Sequence, residues 1–318
     1  MRELESLSGR RVLVTGASGF LGTHLCRRLR QTGADVYGVS RTQPADEIFD
    51  AQWLRGDMAD LTTVEKIFRE ARPEVVYHLS GHGVGAPDLN NVLPTFRNDL
   101  TTAVNILSLA ATNGVSRLVM AASLEEPQPG AADPIPSSPY AAAKWASSAY
   151  ARMFHRLYGT PVVMTRPMMT YGPGQRAHKL IPYVTMALLQ GQTPTLSSGT
   201  RGVDWIYVED VIDGMLAAAV KPGVEGCTID LGSGVLVPIC DVVLQLAAII
   251  GAKAAPQFGA LPDRPMEKVR VADITEAREK LGWQPRTSLQ AGLEQTVEWY
   301  RRELAQSAVG STRADSAQ

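Results

Sequence analysis

The sequence predicts an α/β fold: a doubly wound parallel sheet with a smaller, mixed α/β lobe towards the C-terminus. Two patterns and the length carry this expectation. Short apolar runs that do not alternate with polar residues, such as Val12–Val14, Val75–Leu79 and Leu118–Met120, recur through the first half, as in strands covered on both faces. Helical apolar spacing fills the intervals between them. At 318 residues the chain also exceeds the usual size of a single core.

In chain order, Val12-Leu13-Val14 is the first strand, followed by a glycine-rich turn and by Leu21, Leu25 and Leu29, a stripe on one helix face. Val36–Val39 reads as the second strand. Val64, Ile67, Phe68 and Ala71 stand at i, i+3, i+4 and i+7 of a helix. The strands Val75–Leu79 and Leu118–Met120 follow. Residues Leu124 to Ser138 are rich in Pro, Gly and Asp and read as loop. A helix from about Pro139 to Tyr158 leads into a strand at Val162–Thr165. Beyond Arg166 the pattern loosens, with helical stretches near Leu180–Leu189, Val208–Val220, Ile239–Ile250 and Leu289–Leu304. The expected organisation is a first domain over 1–165, completed by returning segments near 203–232, a lobe over 166–305, and a small, polar, disordered tail over 306–318.

Composition narrows the function classes. Lysine plus arginine (31) against aspartate plus glutamate (32) gives a formal charge of −1, so no basic surplus points to nucleic acid or to an anionic membrane. Met1–Arg10 is polar and lacks the apolar core of a signal peptide. The longest apolar run, Val242–Ile250, is too short to span a bilayer. Cys26, Cys227 and Cys240 form an odd, sparse set that suits a reducing, cytoplasmic setting rather than a disulfide framework. His78 and His82 are four apart, but on a strand end and a glycine-rich loop rather than a helix, so no metal site is expected.

The turn Thr15-Gly16-Ala17-Ser18-Gly19-Phe20-Leu21-Gly22 has the spacing G-x-x-G-x-x-G. Its first position between strand and helix is where a Rossmann-type sheet takes a dinucleotide: glycine lets backbone approach a diphosphate, and the helix N-terminus favours the anion. Gly16, Ser18, Gly19, Phe20, Leu21 and Gly22 are therefore the expected cofactor contacts. The second strand ends in Ser40-Arg41, where an acid would bind ribose hydroxyls. A guanidinium suits a 2′-phosphate instead, which favours NADPH over NADH.

Tyr140 and Lys144 stand at i and i+4 of one helix. A cation beside a phenol lowers its pKa from about 10 and so prepares it for proton transfer. Ser123, just after the strand Leu118–Met120, is the hydroxyl expected to orient a substrate oxygen.

Taken together with Asp57-Met58, His78-Leu79-Ser80, Arg166-Pro167, Tyr171-Gly172-Pro173-Gly174, Asp204–Asp210, Arg264-Pro265 and Leu281–Pro285, these motifs fall in a familiar order from about Arg11 to Tyr300. The chain resembles the nucleotide-sugar-modifying extended short-chain dehydrogenases: 4,6-dehydratases, 4-epimerases and 4-ketoreductases. The resemblance implies catalysis by Tyr140, Lys144 and Ser123, and adenine contacts from Asp57 and Met58. It also places Leu79, Ser80, Gly81 and Pro167 against the cofactor, and implies a homodimer built through two helices per subunit.

Two departures bear on the substrate. The Asp-Glu pair of dehydratases falls at Leu124-Glu125, and leucine cannot protonate a leaving hydroxyl. The positions that bind the substrate diphosphate fall at Met169 and Val203, beside Met168, while Arg264 remains and Arg201 stands two residues from Val203. Apolar side chains there favour a bulky aromatic or polyketide-like ketone of secondary metabolism, reduced to a secondary alcohol. A nucleotide-4-keto-6-deoxysugar reductase or epimerase is the alternative, and a non-catalytic NADP-sensing regulator is the alternative of another class.

Overall fold

The computed structural model describes residues 4–42, 51–127, 134–263, 266 and 269–315. Its centre is a seven-stranded sheet in the order β3-β2-β1-β4-β5-β6-β9, with every neighbouring pair parallel. The strands are β1 (Arg11–Thr15), β2 (Asp35–Ser40), β3 (Gln52–Arg55), β4 (Val75–His78), β5 (Arg117–Ala121), β6 (Val162–Pro167) and β9 (Thr228–Leu231). A second sheet, in the order β10-β8-β7, joins β7 (Met169–Tyr171) to β8 (Gly202–Tyr207) in parallel and β10 (Leu236–Pro238) to β8 antiparallel. The predicted doubly wound sheet and smaller mixed sheet are both present.

Helices cover both faces of the large sheet. On one face, α1 (Phe20–Gln31) and α7 (Val208–Val220) bury Leu25, Leu29, Val211 and Met215. On the other, α2 (Leu61–Ala71), α4 (Thr102–Thr112) and α5 (Pro139–Tyr158) bury Val64, Phe68, Ile106, Leu107 and Phe154. Burial of such side chains contributes roughly 1.5–3 kcal/mol each. The first core continues into the lobe through Val203, Trp205, Leu246 of α8 (Ile239–Ile250) and Leu293 of α10 (Leu289–Asp315). The lobe also contains α6 (Leu180–Leu189) and the short, cleanly capped α9 (Ile274–Leu281), begun by Asp273 and ended by Gly282.

Three stretches depart from the sequence reading. A short α3 (Val92–Thr95) runs through a π-helical turn, Phe96–Thr101, into α4, in a region where no helix was anticipated. The returning segments divide: β9 completes the large sheet, whereas β8 belongs to the small one. The final helix continues through Asp315, so the tail expected to be disordered is helical over most of its length.

The chain leaves β1 for β2 and β3 on one side, then returns to β4 on the other. The C-terminal ends of β1 and β4 meet at Thr15 and His78, which are in register. This is the switch point of the sheet, where a crevice for a ligand opens.

Candidate active site

The glycine turn closes over that crevice. Gly16 has φ +71°, and a Cβ there would stand 2.8 Å from the Ser80 backbone nitrogen. At Gly22 a Cβ would come within 2.2 Å of the Gly16 carbonyl oxygen. Only hydrogen fits at either point, so turn, helix and neighbouring strand approach one another at backbone distance. Helix α1 begins at Phe20 after Gly19, with no side-chain cap to occupy its first-turn N–H groups, and Ser18 is exposed beside it. A concave turn of this kind with free donors fits a diphosphate.

Beneath it, the Thr15 hydroxyl is hydrogen-bonded to His78 Nδ1 at 2.9 Å and donates to the Ser80 hydroxyl at 3.1 Å. The Leu79 N–H donates to the Thr15 carbonyl. Leu79, Ser80 and Gly81 thus lie along the same edge as the glycine turn. Pro167 ends β6 and is buried. Further out, Ser40 pairs in register with Arg55, and Arg55 Nε donates to the Arg41 carbonyl at 3.2 Å, bringing two arginines to the end of β2 with the Arg41 side chain exposed. Asp57 accepts the Ala59 N–H and pairs with Arg97 at 2.8 Å, while Met58 is buried and its carbonyl accepts from Asn105.

The catalytic candidates converge on the other side of the crevice. Ser138 caps α5 by accepting the Ala141 N–H at 3.1 Å, and Pro139 occupies the first helical position. That start places Tyr140 and Lys144 on the first turns. Buried Ala141 and Ala143 keep the helix close to its neighbours. Lys144 Nζ donates to the Ala121 carbonyl at 2.9 Å and lies 5.9 Å from the centre of the Tyr140 ring. The Ser123 hydroxyl stands close enough to Tyr140 to act on its phenol. Burial raises the pKa of Tyr140 above its ordinary value, and Lys144 and Ser123 recover only part of that rise. Lys144 does lower the value, as its spacing from Tyr140 predicts, but desolvation is the larger effect.

The Ser123 loop is anchored from below. Glu126, buried, accepts the Ser123 N–H at 2.8 Å and the Ser148 hydroxyl at 3.0 Å through Oε1, and its Oε2 faces Arg166 at 3.6 Å. Arg166 pairs with Asp230 at 2.7 Å. Arg270 donates to the Glu126 carbonyl at 3.2 Å. Glu125 turns the other way and accepts from the Ser138 hydroxyl at 3.3 Å.

A cleft adjoins this loop, lined by Leu124, Met168, Met169, Arg201, Val203 and Arg270 among others. Met168 and Val203 are core residues at its wall, and Met169 is partly buried beside them. Arg264 lies outside the described residues. Sequence reasoning did not find Arg270, Glu126 or the buried Asp99. None of them stands in a spacing that marks a site, and only the folded chain brings them there.

A family model described as the NAD dependent epimerase/dehydratase family matches residues 12–232, a span that contains the glycine turn, Ser123, Tyr140 and Lys144. The chain belongs to that family. A probable dTDP-glucose 4,6-dehydratase of Sinorhizobium fredii is 30% identical over 324 residues, covering 91% of this chain and 92% of its own. The structure of a UDP-glucose 4-epimerase with UDP-glucose from Thermotoga maritima superposes with a TM-score of 0.85 at 27% identity, covering 92% of this chain and 99% of that one. The Bordetella bronchiseptica enzyme WbmF in complex with NADH gives 0.80 at 25% identity, covering 98% of each chain. Members of the epimerase/dehydratase family are oxidoreductase-type enzymes, so the non-catalytic regulator weighed from the sequence falls away.

Proposed function

We propose that this epimerase/dehydratase family member is an NADPH-dependent reductase of a nucleotide-linked keto-sugar. The observation that carries the reading is the pair of arginines, Arg201 and Arg270, in the cleft beside Ser123. They answer the loss of phosphate ligands that Met169 and Val203 imply from the sequence. A diphosphate buried without donors would be costly, and two guanidiniums remove that objection. The relatives named for nucleotide sugars support it further.

The dinucleotide would be held by the turn Gly16–Gly22, by Ser40 and Arg41 at the adenosine ribose, and by Asp57 and Met58 at the adenine. Leu79, Ser80, Gly81, Pro167, Tyr140 and Lys144 would complete the nicotinamide end. When bound, it supplies the hydride. Ser123, whose Oγ accepts the Glu125 N–H at 3.2 Å, would orient the substrate carbonyl oxygen by donating its hydroxyl hydrogen to it in place of Tyr140. Tyr140 delivers its phenolic proton to the same oxygen as the alkoxide develops, and Lys144 stabilises the resulting phenolate. Leu124 offers no acid for elimination of water, which separates this chain from the dehydratases.

A second reading keeps the same chemistry on a bulky aromatic or polyketide-like ketone, and the apolar wall of Leu124, Met168, Met169 and Val203 favours it. Absorbance of NADPH at 340 nm distinguishes the two. Turnover is expected with nucleotide 4-keto-6-deoxysugars and is expected to vanish in Tyr140→Phe. Turnover of hydrophobic ketones alone would transfer the assignment to the second reading. Interconversion of nucleotide sugars without net NADPH consumption would make the chain an epimerase.

A further inference from the structure

Asp99 is a buried acid, 2% exposed, that none of the roles above uses. It sits on the π-helical turn Phe96–Thr101, an irregularity that recurs at functional sites because it redirects one side chain out of the helical register. Its Oδ2 accepts the His82 backbone N–H at 3.0 Å, while Oδ1 is buried without a hydrogen-bond partner. A Cβ on Gly81 would meet Asp99 Oδ1 at 2.4 Å and Lys144 Nζ at 3.9 Å. Carboxylate and ammonium therefore flank the same glycine, on the edge where the cofactor contacts Leu79–Gly81 are proposed.

The charged and titratable groups around this point come from four elements. Helix α5 gives Tyr140 and Lys144, and the π-helical turn gives Asp99. The loop after β5 gives Glu125, and the end of β4 with its following loop gives His78 and His82. Burial holds His78 neutral. Burial also raises the pKa of Asp99, and Lys144, the His82 N–H and the His82 ring oppose that rise. On Tyr140, Lys144 favours the phenolate whereas Asp99 and Glu125 oppose it.

We propose that Asp99 is a positioning residue that shares the Lys144 ammonium and thereby limits how far Lys144 acidifies the Tyr140 phenol, the group that donates its proton to a ketone. The inference deepens the reductase reading and rests on Tyr140 as the proton donor. With a neutral side chain at position 99, the whole field of Lys144 falls on the phenol. Tyr140 then titrates lower, and the match between the phenol and the developing alkoxide, on which proton transfer depends, is altered.

Tyr140 can be titrated without substrate or cofactor. Tyrosine labelled with 13C at Cζ is followed by NMR against pH, with the Tyr140 resonance assigned by its absence in Tyr140→Phe. Asp99→Asn retains an acceptor for the His82 N–H and is expected to move the Tyr140 titration down by about one pH unit, the low end of the effect of a single close charge. Asp99→Ser is expected to move it in the same direction and serves if the asparagine variant does not fold. Curves that coincide with wild type overturn the inference, since a purely structural role would lower stability and leave the titration in place. The NADPH assay separates the two readings. If Tyr140→Phe is inactive and the Asp99 variants titrate like wild type, only the role of Asp99 is lost. If Tyr140→Phe retains turnover, the proton-donor reading and this inference fall together.

Discussion

The carboxylate of Glu126 accepts the backbone N–H of Ser123 at 2.8 Å, so the loop that carries the catalytic hydroxyl candidate hangs from a buried charge. That charge is balanced within its cluster: Glu126 and Asp230 face Arg166 and Arg270. Glu126→Ala leaves Arg166 short of a counter-charge and the Ser123 N–H without its acceptor. A loss of about 3–5 kcal/mol of stability is expected, the usual cost of breaking a buried pair. Glu126→Gln keeps an acceptor for the N–H and is expected to cost about 1–3 kcal/mol and to lower kcat more than it raises KM. Urea denaturation and steady-state kinetics read the two effects. Wild-type stability in the alanine variant would show that the network is dispensable.

His78 gives the fold a defined acid sensitivity. Burial pushes its pKa from 6.5 down to about 3, and its Nδ1 is engaged by Thr15. Below pH 6.5 the unfolded chain takes up a proton that the folded chain refuses. Stability therefore falls as pH drops from 6.5 towards 3, by at most about 1.4 kcal/mol per pH unit from this one group. His78→Gln removes the titrating group, so its stability between pH 6 and pH 4 is expected to decline less steeply than wild type in urea titrations. Parallel slopes would place the acid sensitivity elsewhere.

Most of the sheet was legible from the sequence because its strands are unbroken apolar runs and its helices carry single stripes. Val64, Ile67, Phe68 and Ala71 are the buried residues of α2, and α5 begins and ends where Pro139 and Tyr158 suggested. The stretch 92–112 was not legible because no stripe runs along it. Leu93 and Phe96 are exposed, Ile106 and Leu107 are buried, and the π-helical turn between them shifts the register. At the site, Tyr140 and Lys144 were readable from i, i+4 spacing and Ser123 from its place after a strand. Glu126, Arg270 and Asp99 were not, since their roles depend on burial and on partners far away in the chain.

Arg41 tests the cofactor. It is exposed at the end of β2, and its carbonyl is held by Arg55. If it takes the 2′-phosphate, Arg41→Ala is expected to raise KM for NADPH about tenfold, the size of one charge-assisted contact, and to leave KM for NADH within about twofold. The ratio of kcat/KM for the two cofactors, in wild type and variant, reads this directly. Equal use of both cofactors before and after the substitution would remove the 2′-phosphate contact from Arg41.

Leu89, Leu93 and Phe96 are exposed by 85%, 77% and 56% on three successive pieces of helix, a single turn at Leu89–Asn91, α3 and the π-helical turn. They project from the segment that packs against α5, the helix bearing Tyr140 and Lys144. Apolar side chains of this size left in water are unfavourable, and a second copy of the chain related by a two-fold axis would cover them with the same residues. A homodimer burying on the order of 1,200–2,000 Å² is expected. Phe96→Asp would place like charges opposite one another at such an axis, so light scattering after size exclusion should report a dimer for wild type and a monomer for the variant. Because Phe96 opens the π-helical turn that carries Asp99, the monomer is also expected to lose activity beyond its loss of stability. A wild-type chain that runs as a monomer would leave this face to some other partner.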